Sequence, residues 1–344
     1  MQTSAAPDVD PWRLEIIVVR GGAWSSGERS AIARDVERGL LLRIGPGQYV
    51  ERTAYQSLTV EQRHVVRMRA ADAASPEPMV FSDWSSGAVL GAPVLRPRLR
   101  SVHVSIPEGA DLHRVGITAH RRRLDDEDVI IVHGLRMTTL ARTVVDIAGA
   151  GAFEEGVMAA DRALLLGVER EQLEAAADAA GDRRASGRIA QVIAFGDPGG
   201  ESAAESRYRV SSMRAGFEPP ELQHPVRLTD GSNAWLDGWY RRFDVGVEID
   251  GDQKFLDAEM APDGAGRAVI KEKRREDEMR LSLRALIRPG WVQSGSATLI
   301  RSMLAKVGVL PTRPRASIEA YVERARESRR RPSWRSPARS TLRP

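Results

Sequence analysis

Between Trp235 and Phe255 the sequence reads WLDGWYRRFDVGVEIDGDQKF, and its alternation admits little besides two strands joined by a tight turn. In the second strand Val245, Val247 and Ile249 point to one face, which sends Asp244, Glu248 and Asp250 to the other. With Arg242 and Phe243 as a two-residue loop, Asp237 falls directly across from Glu248, the side chains about 5 Å apart. Like charges facing each other destabilise a sheet, so this register asks for a compensating cation. Carboxylate oxygens are hard ligands suited to Mg²⁺ or Mn²⁺. Asp237, Glu248 and Asp250 are therefore the expected metal ligands. Lys254 follows just past a glycine turn, from where its amine could orient or deprotonate a water beside bound metal. The alternative is a row of acids on an exposed sheet edge, neutralised by Arg241, Arg242 and Lys254. A slip of one residue would also turn Asp237 to the wrong face.

The surrounding pattern predicts a helix over 202–215 ending at Gly216, and a strand over 222–228. Strands over 234–240 and 245–250 follow, then a charged helix over 269–285 and a last strand near 290–294. This α-β-β-β-α-β order suits an α/β sandwich, with the main boundary before it near residue 198.

Upstream, a helix is predicted over 28–42, with Ile32, Val36 and Leu40 recurring every four residues. Arg29, Arg34 and Arg38 lie between them. RIGPGQYV, from Arg43 to Val50, then reads as two short strands about a Pro46–Gly47 turn. A helix followed by a tight hairpin is the pattern of a winged helix-turn-helix, so Arg29, Arg34, Arg38 and Arg43 are the expected DNA contacts. Strands are predicted over 98–107 and 129–132, a helix over 138–148, and Ala-rich helices over 153–180. Between the strands HRRR, at 120–123, faces the acidic run 125–128. Arg142 and Asp146 have the spacing of an ion pair along one helix face.

Composition excludes several classes. No apolar run approaches the roughly 18 residues that cross a bilayer, and the start has no secretory pattern, so the cytoplasm is the expected compartment. With no cysteine there is no disulfide, thiol nucleophile or cysteine-bound zinc. The histidines lack zinc-ligand spacing, and neither a nucleophile elbow nor a phosphate-binding loop is present. The net charge of +4 is misleading. Eight arginines and one glutamate lie after residue 323, and the chain before them carries −3. That basic end is expected to be mostly disordered, serving either as a polycation that holds DNA or as a solubilising extension.

Two resemblances follow from these residues. The stretch 201–300 is similar to the restriction-endonuclease-like PD-(D/E)XK fold, in the branch of very-short-patch-repair endonucleases. The match runs through Glu205 of ESRYR, Gly216, Pro219 and Gln223, Asp237 of LDGWY, Glu248 and Asp250 of EIDG, and the KRREDEMR segment. It implies Asp237 and Glu248 as metal ligands, Asp250 at the third motif position and Glu205 as a supporting helical carboxylate. Asp250 stands where the wider fold places lysine, and Lys254 where this branch has histidine.

The first part, over 25–165, resembles AbiEi-type antitoxins through GLLLRIGPGQYV and through Thr139, Arg142, Thr143 and Asp146 of HGLRMTTLARTVVDIA. In that family the winged helix binds DNA and the second domain counters a nucleotidyltransferase toxin.

The expected organisation is an α/β multidomain chain. A winged helix-turn-helix occupies 1–52, a mixed α/β domain 53–197, a nuclease-like sandwich 198–310, and a basic, mostly disordered tail 311–344. The expected function is a Mg²⁺-dependent endonuclease acting on DNA, with Glu205, Asp237, Glu248, Asp250 and Lys254 as its catalytic set. One cutting site per chain calls for a homodimer, or two events, to break both strands. The alternative is a non-catalytic DNA-binding regulator or antitoxin, partnered by a toxin, on a degenerate nuclease fold.

Overall fold

The computed structural model describes residues 9–19, 24–182, 184–228, 231–250, 278–279, 282–312 and 318–328. Among them the chain is mixed α/β, with three-, five- and four-stranded sheets. It divides into two compact units, Met1–Ala190 and Gln191–Pro344. The segments expected at 1–52 and 53–197 thus belong to one unit as far as Ala190.

The first unit opens with β1 (Ile17–Val18), α1 (Ser26–Glu37), β2 (Leu41–Gly45) and β3 (Gln48–Glu51), the strands ordered β1-β3-β2. A capping box starts α1: the Glu28 amide donates to the Ser25 hydroxyl at 3.2 Å, and the Ser25 amide donates to the Glu28 carboxylate at 2.7 Å. The helix stops short of the predicted residue 42, because Gly39 takes a positive φ of 75° and turns the chain into β2. Leu40 is left 56% exposed instead of continuing the apolar stripe. At the hairpin Gly47 has φ 68°, and a Cβ there would lie 2.8 Å from the Val19 carbonyl oxygen. A side chain is excluded at that position on both counts.

The helices α2 (Arg52–Ser57) and α3 (Val60–Ala73) come next. Val66 of α3 packs with Val50, Tyr55 and Leu58 beside the small sheet. Met68 and Ala71 of the same helix pack with Phe81, Val102, Val104 and Met137. One helix therefore serves two cores, which is the physical reason residues 1–52 do not stand apart.

The second of those cores lies on the larger sheet, built from β4 (Val80–Phe81), β5 (Val102–Ile106), β6 (Ile117–Arg121), β7 (Val129–Val132) and β8 (Leu135–Thr138). Its order is β6-β5-β4-β8-β7. Helix α4 (Asp83–Leu90) follows β4, and β5 begins later than predicted because Arg96–Arg100 form a 3-10 turn around Pro97. The unit continues through α5 (Leu140–Ala150), α6 (Phe153–Leu165) and α7 (Arg170–Ala180) into α8 (Ser186–Phe195), which runs across the unit boundary. The hydroxyl of Thr139 caps α5.

The second unit contains α9 (Ala203–Arg214), β9 (Glu221–Arg227), β10 (Asn233–Tyr240), β11 (Val245–Val247) and β12 (Ala285–Ile287). Its sheet has the order β12-β11-β10-β9, with only the β11–β12 pair parallel among these. The strand predicted near 290–294 is instead the short helix α10 (Trp291–Ser294). The sheet is completed by Ala285–Ile287, which begins at the last residue of the predicted helix and falls before the predicted strand. Those three residues pair with Val245, Gly246 and Val247, and the pairing outweighs local helical propensity. Most of the charged helix predicted over 269–285 lies outside the described residues.

Helices α11 (Ala297–Lys306) and α12 (Ile318–Ser328) complete the described chain. The second corrects the expected tail at 311–344. Tyr321 and Ala325 are buried, and the Tyr321 ring stacks on Phe195 with centroids 5.1 Å apart. Residues 329–344 lie outside the described set. Tyr208, Phe217, Tyr240, Val245, Val247, Ile287, Ile300 and Leu304 form the main core of this unit.

Candidate functional site

The hairpin β10–β11 pairs Gly238 with Val247, Trp239 with Gly246 and Tyr240 with Val245. One step beyond the last ladder pair, this register sets Asp237 against Glu248, as the alternation predicts. The connection differs from the expected two-residue loop. Arg241–Phe243 form a 3-10 turn closed by Asp244 in the left-handed region, φ 50°. Asp244 therefore belongs to the turn, where its carboxylate accepts from the Trp239 indole at 3.3 Å and the Arg284 amide at 3.0 Å.

Asp237 reaches across its own hairpin, one carboxylate oxygen accepting the Ile249 amide at 2.6 Å. On its other side the β9–β10 ladder pairs Leu236 with His224 and Gly238 with Leu222. Between those partners Gln223 takes φ 49°, and its side-chain amide lies 3.4 Å from a carboxylate oxygen of Glu205 and 3.5 Å from the Gly199 carbonyl.

Glu205 stands in the first turn of α9, only 8% exposed, and accepts the Glu201 amide at 3.0 Å. Burial, reinforced by the nearby Asp237 carboxylate, pushes Glu205 well above the usual carboxylate range. Burial also raises Glu201. Glu248 is buried, and its amide donates to the Ile287 carbonyl at 3.0 Å. The structure thus brings Glu205 and Asp237 into electrostatic contact on a framework that sets Glu248 opposite Asp237.

Asp250 is placed differently. Arg288 grips it through two guanidinium nitrogens, one of them the Nε at 3.1 Å. Its amide is tied to the Pro289 carbonyl at 3.2 Å, beside a short bridge to Gly290. The expected third ligand is therefore engaged in an ion pair. Lys254 lies outside the described residues. Among the described residues, no three His, Asp or Glu side chains are drawn together as a ready-made cation site.

The predicted DNA-contact arginines are all exposed: Arg29 and Arg34 on α1, Arg38 just past its end, and Arg43 on β2. Arg38 lies 4.0 Å from Asp35, and the Nε of Arg43 donates to the Gly45 carbonyl at 3.1 Å.

In the first unit the structure assembles a buried polar layer that the sequence showed only in fragments. Arg142, 2% exposed, bonds Asp128 at 2.6 Å and Asp146 at 3.0 Å, and donates to the Arg123 carbonyl. The predicted Arg142–Asp146 helix pair is present. Arg122 lies 2.6 Å from Asp146 and 3.2 Å from Asp83, a fully buried residue held at φ 51°. Burial pushes the Asp146 carboxyl up to about 6 against the pull of Arg122.

Beside Asp83, His103 Nε2 lies 3.1 Å from the Arg98 carbonyl, which only accepts, so that nitrogen carries a proton. Burial lowers His103 and brings His120 down to about 4, so both rings are neutral at pH 7. His103 Nδ1 is then an acceptor for His120 Nε2 at 3.0 Å, and Asp83 lies 3.5 Å from the same donor. Each group in this layer is held by a neighbour on another strand or helix. The HRRR run and the Arg142–Asp146 spacing were its only signals along the chain; Asp83 carried none.

No protein-family model matches this chain, and neither does any curated protein.

Proposed function

We propose that the second unit is a DNA-directed, Mg²⁺-dependent phosphodiesterase, brought to its substrate by the exposed arginines of the helix and hairpin of the first. The observation that carries the reading is Glu205, a carboxyl buried beside Asp237 on a sheet whose register faces Asp237 with Glu248. A buried carboxyl beside a like charge is costly, and a divalent ion with hard-oxygen preference removes that cost. The donor chemistry suits such an ion, and Glu205, Asp237 and Glu248 would have to draw closer together to hold it in place of the engaged Asp250. When bound, the cation stabilises charge on phosphate oxygens and acidifies a water. The protein's own part is orientation: the Ile249 amide aims the Asp237 carboxylate, while Gln223 and the Glu201 amide aim Glu205. In the first unit α1 with the β2–β3 hairpin reads as a small winged helix, Arg29, Arg34 and Arg38 meeting the duplex and Arg43 the backbone beside the wing.

The test is nicking of supercoiled plasmid by the full chain in Mg²⁺, Mn²⁺ or EDTA, beside Glu248→Gln. Metal-dependent conversion to open circles, lost in the variant, is the expected result. The Asp250–Arg288 pair favours a second reading, a DNA-binding regulator or antitoxin on a degenerate nuclease fold. Gel-shift binding with no cutting in any metal would replace the first reading by this one.

A further inference from the structure

At the turn end of the β10–β11 hairpin lies a cavity of about 240 Å³, its walls including Trp239, Arg241, Arg242, Phe243, Glu221 and Arg324. The His224 ring stacks on Trp239 with centroids 3.8 Å apart and planes 20° apart. The Arg241 guanidinium lies over the same indole at 4.8 Å. Glu221 clamps that guanidinium through both oxygens, at 2.6 and 3.0 Å, which fixes its plane. Even so clamped, the Arg241 side chain is 62% exposed. Glu221 itself is buried, so the clamp anchors the guanidinium from below and leaves its outer face open. The clamp also neutralises Arg241, leaving it suited to offering a flat π-face more than to holding a phosphate.

We propose that the Trp239–Arg241 column is a stacking platform for an unpaired base of DNA. Nucleobases stack on guanidinium planes and aromatic rings whatever their identity. Arg242, whose guanidinium sits 5.5 Å from the Phe243 ring, supplies charge for the adjoining phosphate. Arg324 of α12 lines the same cavity, and the sequence beyond α12 adds arginines and no acid through residue 344. The inference rests on the DNA reading of this unit and gives its substrate class as DNA with a single-stranded or unpaired stretch.

The experiment is fluorescence anisotropy of the full chain in EDTA, with labelled oligothymidylate and with a duplex of equal length. Arg241→Lys keeps the charge and removes the planar face. It is expected to weaken oligothymidylate binding about tenfold, the effect of losing one stacked base, and to leave duplex binding within about twofold. A 2-aminopurine in the oligomer reads stacking directly, with quenching in the parent that is absent in Arg241→Lys. Unchanged oligothymidylate binding in Arg241→Lys, or absence of quenching in the parent, would each overturn the proposal. Because the readout is binding without metal, a failure of plasmid nicking leaves it standing, and its own failure leaves the nicking result untouched.

Discussion

The polar layer of the first unit and the Glu205 site of the second bury charge in opposite ways. In the first, Asp83, Asp128 and Asp146 are bonded by Arg122 and Arg142, so the acids meet their counter-charges within one fold. In the second, Glu205 is held by a backbone amide and the Gln223 side chain, and the charged group that raises it most is another carboxylate, Asp237. An arginine-compensated layer has its electrostatics settled by folding, and removing one partner leaves a stranded charge. A carboxyl raised by a like charge, as Glu205 is by Asp237, is one that a proton or a cation relieves. The contrast separates a structural device from a candidate site better than burial does, since Glu205 and Glu248 are as buried as the acids of the first unit.

The largest effect that would sharpen the contrast is at Arg142. Arg142→Ala strips a guanidinium from two buried aspartates and should cost the first unit about 3–5 kcal/mol. In calorimetry the transition of that unit should collapse while that of the second stays in place. A parallel fall of both transitions would mean the units do not unfold separately, and the comparison would break.

The next effect is the opposite response to pH. Burial, with Arg67 adding, lowers His64 to about 3, and burial lowers His120 to about 4, against an ordinary 6.5. Below about 6.5 the unfolded chain takes up protons that the two folded rings refuse, which outweighs the one proton that Asp146, raised to about 6, gains in the folded unit, so the first unit loses stability as pH falls. Glu205 is raised above its ordinary 4.5, so its contribution is fully present below that value and is lost as pH rises through the folded one. Melting from about pH 7 down to about pH 5 should lower the first transition and hold or raise the second. A second transition that falls along with the first would remove Glu205 from the argument.

The smallest effect is the response to metal. Millimolar Mg²⁺ should raise the second transition by a few degrees and leave the first unmoved. Glu205→Gln should raise that transition at neutral pH without metal and blunt the response to Mg²⁺, because the crowding is already relieved. An equal Mg²⁺ shift in the variant would place the ion elsewhere.

Much of the local structure was legible along the chain because it follows from local rules. Alternation at Val245, Val247 and Ile249 set the hairpin register, the Pro46–Gly47 turn set β2–β3, and Ser202 with Gly216 bracketed α9. The helix spacing of Ile318, Tyr321 and Ala325 was present too, but the surrounding arginines made it read as a tail.

Tertiary structure alone decided the rest, since it turns on which partner a group meets far along the chain. Ala285–Ile287 became a strand only because β11 offered a parallel edge, and Asp250 was drawn to Arg288 by the same adjacency. Asp83 acquired its partners from His120 of β6 and Arg122 just past that strand, across a chain separation that local pattern cannot span. Sequence by itself determined most element types and the facing of Asp237 and Glu248, because backbone periodicity and turn chemistry act over a few residues. Which buried acids are compensated and which are left crowded was set by packing, because desolvation and ion pairing depend on through-space neighbours.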